Sequence, residues 1–365
     1  MDPLSELLIA HQPLALALGG LLLGFLFGAL TYRTNFCTMG AISDMVTFGD
    51  RRRFRAWMLA SASALIGTQS LAAAGIVPLE QSMYLAPGLN WVGHIAGGLM
   101  FGFGMVFAGG CPSRNLARAG GGDLRALFTL IVLGIAAYMA IGGVLAPARA
   151  WLEGATALPL AELDIPTQSL GDVATVLIGA RPNAAKLATG AAIAAALLAY
   201  CFMDGRFASS PTHIWSGFGV GLIVVAGWAL TGLAWDELAD HPTAPISLTY
   251  VRPVGDTLEW LKRMTALGLP GFGVASVFGA LLGAYLAARR MGRFKLTSFT
   301  GPADTLRSLF GASLMGIGGV LALGCTIGQG ITGVSTLAAG SFLTLAAIVA
   351  GGIAGVRGLE RWSDA

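Results

Sequence analysis

Apolar runs recur along the whole chain, separated by polar or glycine-rich breaks, and each approaches the roughly 20 residues that cover about 30 Å of hydrocarbon. The pattern predicts nine spans, near 14-31, 56-75, 92-108, 124-146, 185-203, 214-232, 271-288, 307-323 and 342-356. Two breaks are long, 147-184 and 233-270, and carry Pro, Trp and mixed charges; they read as connecting loops, or as short helices lying on one surface. Two others, 109-122 and 324-341, are glycine-rich and polar, yet each joins two apolar runs. Bare backbone amides in lipid cost several kcal/mol each, so such stretches survive only when protein or a cavity encloses them. They are expected to be re-entrant, dipping in from opposite faces.

A repeat links these breaks. "GGLMFGFGMVFAGGC" (97-111) aligns without a gap on "GASLMGIGGVLALGC" (311-325), matching Gly97, Gly102, Gly104, Val106, Ala108, Gly110 and Cys111 to Gly311, Gly316, Gly318, Val320, Ala322, Gly324 and Cys325. A weaker echo joins "GFLFGA" (24-29) to "GALLGA" (279-284). The chain therefore reads as one transmembrane transporter domain over 1-365, with repeat halves near 14-146 and 185-356.

Composition agrees with the periodicity: 55% of the 365 residues are hydrophobic, 11% are charged, and mean hydropathy is +0.73. The fold class is an all-α integral membrane protein. Residues 1-13 hold Asp2 and Glu6 but no Lys or Arg, so no cleaved leader is expected. Nine spans put the termini on opposite sides, and sixteen of the 22 basic residues collect on one side if the N-terminus is periplasmic. That orientation, with the C-terminus cytoplasmic, makes the span before Cys111 run inward and the span before Cys325 run outward, so the repeat is inverted with pseudo-two-fold symmetry. Inverted repeats with interrupted segments point to a transport site near the bilayer midplane. A dispersed net charge of +3 excludes a continuous basic face for nucleic acid.

The four cysteines form no CxxC or Cys/His cluster, and neither a metal site nor a cofactor is expected. Cys111 and Cys325 stand at equivalent places where a helix ends and free N-H groups begin, a setting that attracts anions. Cys37, in "NFCTMGAISD", resembles them, whereas Cys201 in "LLAYCFMDGR" reads as packing. Away from water a neutral thiol is a weak donor, suited to holding a soft sulfur anion lightly enough to release it. Arg114 and Arg118 offer long-range attraction or anchor at the interface; Asn115 and Gln329, each four beyond a cysteine, offer amides to a solute or tie the turn to its neighbour.

"NFCTMGA", "GGCPSRNL" and "LGCTIGQGITG" together resemble the YeeE/YedE family of sulfur transporters, whose members take up thiosulfate. The resemblance implies an hourglass-like helical fold and successive contact of thiosulfate with Cys37, Cys111 and Cys325. It also implies, for some members, a TusA-like sulfurtransferase at the cytoplasmic side, and for others a selenium compound as solute.

The leading expectation is an inner-membrane transporter that imports thiosulfate or a related sulfur anion past Cys325, Cys111 and Cys37 in that order, with Arg114, Asn115 and Gln329 as further binding residues. It is not expected to be an enzyme. The rival is a sulfur-transfer protein forming a cysteine persulfide, which needs an activated thiolate beside a base or cation; His94 starts the span whose far end bears Cys111. A metal-ion transporter lacks an intramembrane carboxylate cluster, since Asp44 stands alone.

Overall fold

In the computed structural model, residues 3-179, 181-237 and 243-363 are described, so Asp2 and the 238-242 part of the second long segment lie outside them. Sixteen helices follow in chain order: α1 (Pro3–Ala10), α2 (Gln12–Thr34), α3 (Thr38–Thr47), α4 (Arg52–Ala73), α5 (Trp91–Phe107), α6 (Pro112–Gly120), α7 (Leu124–Ile141), α8 (Ala146–Thr156), α9 (Leu170–Ile178), α10 (Pro182–Phe202), α11 (Gly205–Ala208), α12 (Pro211–Leu233), α13 (Val251–Leu267), α14 (Phe272–Arg290), α15 (Pro302–Leu321) and α16 (Ala339–Ser363). A π-helical turn, Gly328–Gly333, precedes α16, and the one small sheet among the described residues pairs Gly88–Leu89 with Leu158–Pro159.

Seven segments are long and apolar enough to cross a membrane: Gln12–Thr47, Trp91–Gly120, Leu124–Ile141, Asn183–Phe202, Pro211–Leu233, Phe272–Arg290 and Ala339–Glu360. The chain is a multi-pass, all-α membrane protein. The other two expected spans are the helices α4 and α15, of 22 and 20 residues. Each is about 30 Å long, but both are less apolar than those seven. Trp57, Ala60, Ser61, Ala64 and Thr68 of α4 are buried, and α15 packs against both α5 and α7.

Glycines set how closely the long helices approach. A Cβ at Gly97 would lie 2.5 Å from the Gly318 carbonyl oxygen and one at Gly318 would lie 2.7 Å from that of Gly97; Gly104 and Gly311 face each other in the same reciprocal way, at 2.7 and 2.5 Å. Residue 97 thus opposes 318 while 104 opposes 311, so α5 and α15 run antiparallel. By contrast Gly20, Gly24 and Gly28 abut Phe272, Ser276 and Ala280 in rising order, so α2 and α14 run parallel. The echo between 24-29 and 279-284 therefore lies in two helices that pack on each other side by side. Packing pairs recur in matched sets: α2 with α14 and α12 with α4, α5 with α16 and α15 with α7, α3 with α4 and α13 with α14.

Both long segments contain helices among their described residues. The first holds α8, a 3-10 turn at Leu160–Leu163 and α9; the second holds α13. The start of α13, at Val251, Val254 and Gly255, is buried, and its second half carries the exposed Leu261 and Met264. Its mixed charges concealed a helix whose first turns belong to the core.

Candidate functional site

One backbone device occurs three times. Asn35, Gly109 and Leu323 hold left-handed φ angles of 57°, 71° and 58°, each two residues before a cysteine. At each place the following N-H reaches back five residues, Phe36 to Thr31 (3.2 Å), Gly110 to Met105 (2.8 Å) and Gly324 to Gly319 (2.7 Å), the six-to-one bond of a Schellman helix end. The chain then starts a new helical turn with the cysteine as its first residue: the carbonyls of Cys37, Cys111 and Cys325 accept from Ala41 (3.0 Å), Asn115 (2.9 Å) and Gln329 (2.7 Å). The sequence reading saw the cysteines as alike without seeing this shared turn, because only Gly109 announces its left-handed backbone.

All three cysteines are free and buried. The Gly40 N-H donates to Cys37 Sγ at 3.4 Å and the Gly328 N-H to Cys325 Sγ at 3.3 Å, while Cys111 Sγ lies 3.1 Å from Ser113 Oγ. Cys111 lies within electrostatic reach of both Cys37 and Cys325. Around them lie buried polar atoms that no protein group satisfies: Trp57 Nε1, Tyr84 OH, Tyr250 OH and Thr326 Oγ1. Buried polar groups are ordinarily paired, so four unpaired donors in one neighbourhood mark a place built for something else.

Two cavities approach this cluster from opposite ends of α7. One, of about 650 Å³, is lined by Ser247, Thr249, Leu323 and Gly324, beside Cys325, with Arg149 and Arg252 at its rim. The other, of about 420 Å³, is lined by Asn35, Arg33, Arg114, Arg118, Arg293 and Lys295, with Asp123 its one acid. Ile141 borders the first and Asp123 the second, so the length of α7, about 27 Å, separates them.

The remaining expected site residues divide by what they touch. Arg114 makes no ion pair or side-chain hydrogen bond among the described residues and faces the basic cavity. Arg118 is committed to Asp123 (2.7 Å) and to the Gly109 carbonyl (2.8 Å), which fastens the Cys111 turn. Asn115 and Gln329 hold protein groups: the Asn115 amide donates to Gly110 O (2.7 Å), and Gln329 donates to Ala322 O (2.6 Å) while accepting from Ser341 (2.5 Å). Each braces the turn before its cysteine. Cys201 is packing, its thiol donating to Arg55 O at 3.3 Å. His94 bonds Thr344 at 2.7 Å, and Asp44 pairs with Arg53 at 2.9 Å. Sequence reasoning missed Tyr84, in the connection between α4 and α5, and Thr249 and Tyr250, in the second long segment, whose legible signals were Pro, Trp and mixed charge.

The chain is 30% identical over 320 residues to a thiosulfate transporter, TsuA, of Spirochaeta thermophila, covering 86% of this chain and 90% of that one. It is 27% identical over 336 residues to TsuA of Escherichia coli, covering 87% of each. A probable transporter, YedE, of Salmonella typhimurium matches at 39% over 112 residues, 30% of this chain and 25% of that one. A family profile described as sulphur transport matches residues 33–354, which contain Cys37, Cys111 and Cys325 and every lining residue of the larger cavity, and the chain belongs to that family, the one its cysteine motifs resemble.

Proposed function

We propose that the protein imports thiosulfate, or a closely related sulfur anion, across the bacterial inner membrane, with its N-terminus periplasmic and its C-terminus cytoplasmic. The observation that carries this is the threefold turn: three buried thiols are each presented at the start of a new helical turn, with one cavity lined by Leu323 and Gly324 before Cys325 and the other lined by Asn35 before Cys37. The solute enters by the larger cavity at Cys325, passes Cys111 and leaves by the basic cavity beside Asn35 and Cys37. Free N-H groups at helix starts attract its charge, and weak S-H donors hold it without trapping it. The terminal sulfur of thiosulfate suits a thiol better than any oxygen of sulfate does.

The reciprocal contacts of α5 with α15 support an inverted repeat about a two-fold axis in the membrane plane, with nine crossings in all. In that pairing α2 answers to α12, α3 to α13, α4 to α14, α5 to α15 and α7 to α16, which leaves α10 unmatched. The chain is then a single transport domain. Five basic groups against one acid at the inner cavity suit an acidic face of a TusA-like sulfur carrier waiting to receive the solute. Among the described residues no cation or imidazole hydrogen-bonds the three sulfurs, which supports transport over persulfide chemistry.

The test is uptake of labelled thiosulfate by cells that depend on this protein for sulfur. Cys111→Ala abolishes uptake, whereas Cys201→Ala leaves it near wild type; equal uptake by both variants removes the reading.

A further inference from the structure

Tyr84 and Tyr250 have no part in the cysteine relay, yet they are the two largest buried polar side chains beside Cys325. Tyr84 is 2% exposed and Tyr250 is 0% exposed. Among the described residues neither hydroxyl meets a partner in hydrogen-bond geometry. Thr249 stands near Tyr84 and Ser276 near Tyr250; the Ser276 hydroxyl donates its proton to Gly273 O at 2.7 Å and has none to give the phenol. The rings are held firmly: Tyr250 lies against Phe27 with centroids 5.2 Å apart, and Tyr84 meets Trp228 edge-on at 6.2 Å. Each phenol is within electrostatic reach of Cys325.

Their chain neighbours define the larger cavity. Met83 lines it beside Tyr84, and Thr249 and Val251 line it on either side of Tyr250. Tyr250 is also the residue from which the 17-residue helix α13 starts, so the free N-H groups of that helix begin at the same spot. In the two-fold pairing proposed above, Tyr250 before α13 holds the place that Cys37 holds before α3.

We infer that Tyr84, Tyr250 and Cys325 form a neutral capture station for the oxyanion end of the solute, at the inner end of the larger cavity. This rests on the transport reading above and gives it a source of affinity. A phenol O-H is a stronger donor than a thiol S-H. Two phenols where a dilute anion first meets the protein, followed by thiols alone, grade the donors from firm to weak along the path. An uncharged station also avoids the ion pair that would hold the anion too long to conduct. The sulfonate-like oxygens face the phenols and the terminal sulfur faces Cys325.

The experiment measures initial rates of thiosulfate uptake against concentration in proteoliposomes holding the full chain, wild type or carrying Tyr84→Phe, Tyr250→Phe, both, or Cys111→Ala. Phenylalanine keeps each ring on its partner and removes one oxygen. Each single variant is expected to raise the half-saturating concentration roughly tenfold with a smaller change in maximal rate, as loss of one hydrogen bond to a charged group would. The double variant is expected to raise it further. Thermal melting of the purified variants with and without thiosulfate supplies a second readout, in which the ligand-induced rise shrinks while the unliganded melting temperature holds. If both tyrosine variants keep wild-type half-saturation and ligand-induced shift while Cys111→Ala is inactive, the capture station is wrong and the transport reading stands. If Cys111→Ala transports like wild type, the transport reading itself falls.

Discussion

Leu323 stands at φ 58° where its repeat counterpart Gly109 stands at φ 71°, so one turn of the pair forces a branched aliphatic side chain into the left-handed region that the other assigns to glycine. An L-residue there costs about 1 kcal/mol relative to glycine. Leu323→Gly is therefore expected to raise the melting temperature of the purified protein or leave it unchanged, with thiosulfate uptake retained. The reverse change is not tolerated. A Cβ at Gly109 would lie 2.7 Å from the Arg118 guanidinium that fastens the turn, so Gly109→Ala is expected to lower stability by about 1-3 kcal/mol, read as a fall in melting temperature.

The reciprocal glycine contact between α5 and α15 yields a second prediction. Alanine at Gly104 or at Gly311 sets a methyl group 2.7 or 2.5 Å from a backbone carbonyl oxygen of the facing helix. Separating the two helices disturbs packing on their far sides, because α5 is also packed on α16 and α15 on α7. Each variant is expected to lose about 1-3 kcal/mol. The double variant is expected to lose less than the sum, since one separation of the helices relieves both clashes. Strict additivity in thermal melting would mean that the two glycines do not share an interface.

The positions of the helices were legible because a helix in lipid must be apolar over its whole length, and the nine runs all became helices. Apolarity was a poorer guide where protein replaces lipid: α4 carries Ser61, Thr68 and Gln69, and α13 opens on "VRPVGDTLEW". The three cysteines were legible from the glycines and motifs around them. The turn that presents them was not, since a leucine at 323 gives no sign of a left-handed backbone. Asn115 and Gln329 were found for their spacing, yet a spacing of four cannot tell an amide that faces a solute from one that closes its own turn. The tyrosines escaped because nothing local in "SMYLAP" or "SLTYVR" distinguishes a packed ring from one whose hydroxyl stands free.

Gln329 provides the third prediction. Its amide nitrogen holds Ala322 O at 2.6 Å and its oxygen accepts from Ser341 at 2.5 Å, with the side chain fully buried. Replacement by leucine leaves both partners unsatisfied in the interior, at a cost of about 1-3 kcal/mol each. Gln329→Leu is expected to melt well below wild type and to lose uptake, while Gln329→Glu, which keeps the acceptor, retains more of both. If Gln329→Leu melts normally but no longer transports, the amide touches the solute after all.

Asp123 supplies a prediction in pH. It caps α7 through the Arg125 N-H at 3.1 Å and pairs with Arg118 at 2.7 Å and Arg125 at 3.2 Å. Burial works against its charge, but the hydrogen bond from Arg125 and the Arg118 guanidinium outweigh it, holding the carboxyl below its ordinary value. A carboxyl lowered in the folded state adds stability that is fully present above the unfolded value of about 3.9 and is lost as pH falls through the folded one. Asp123→Asn is therefore expected to melt below wild type by a constant margin from neutral pH down to about pH 5, and the margin is expected to close as the pH is lowered further through and below about 4. The same substitution frees Arg118 from its carboxylate at the basic cavity, where Arg33, Arg114, Arg293 and Lys295 already stand. Release of thiosulfate is then slowed by the added positive charge, so the variant's uptake should become more sensitive to ionic strength than that of the wild type. A melting difference that persists unchanged at pH 3 would assign the loss to contacts that do not depend on the carboxylate's charge.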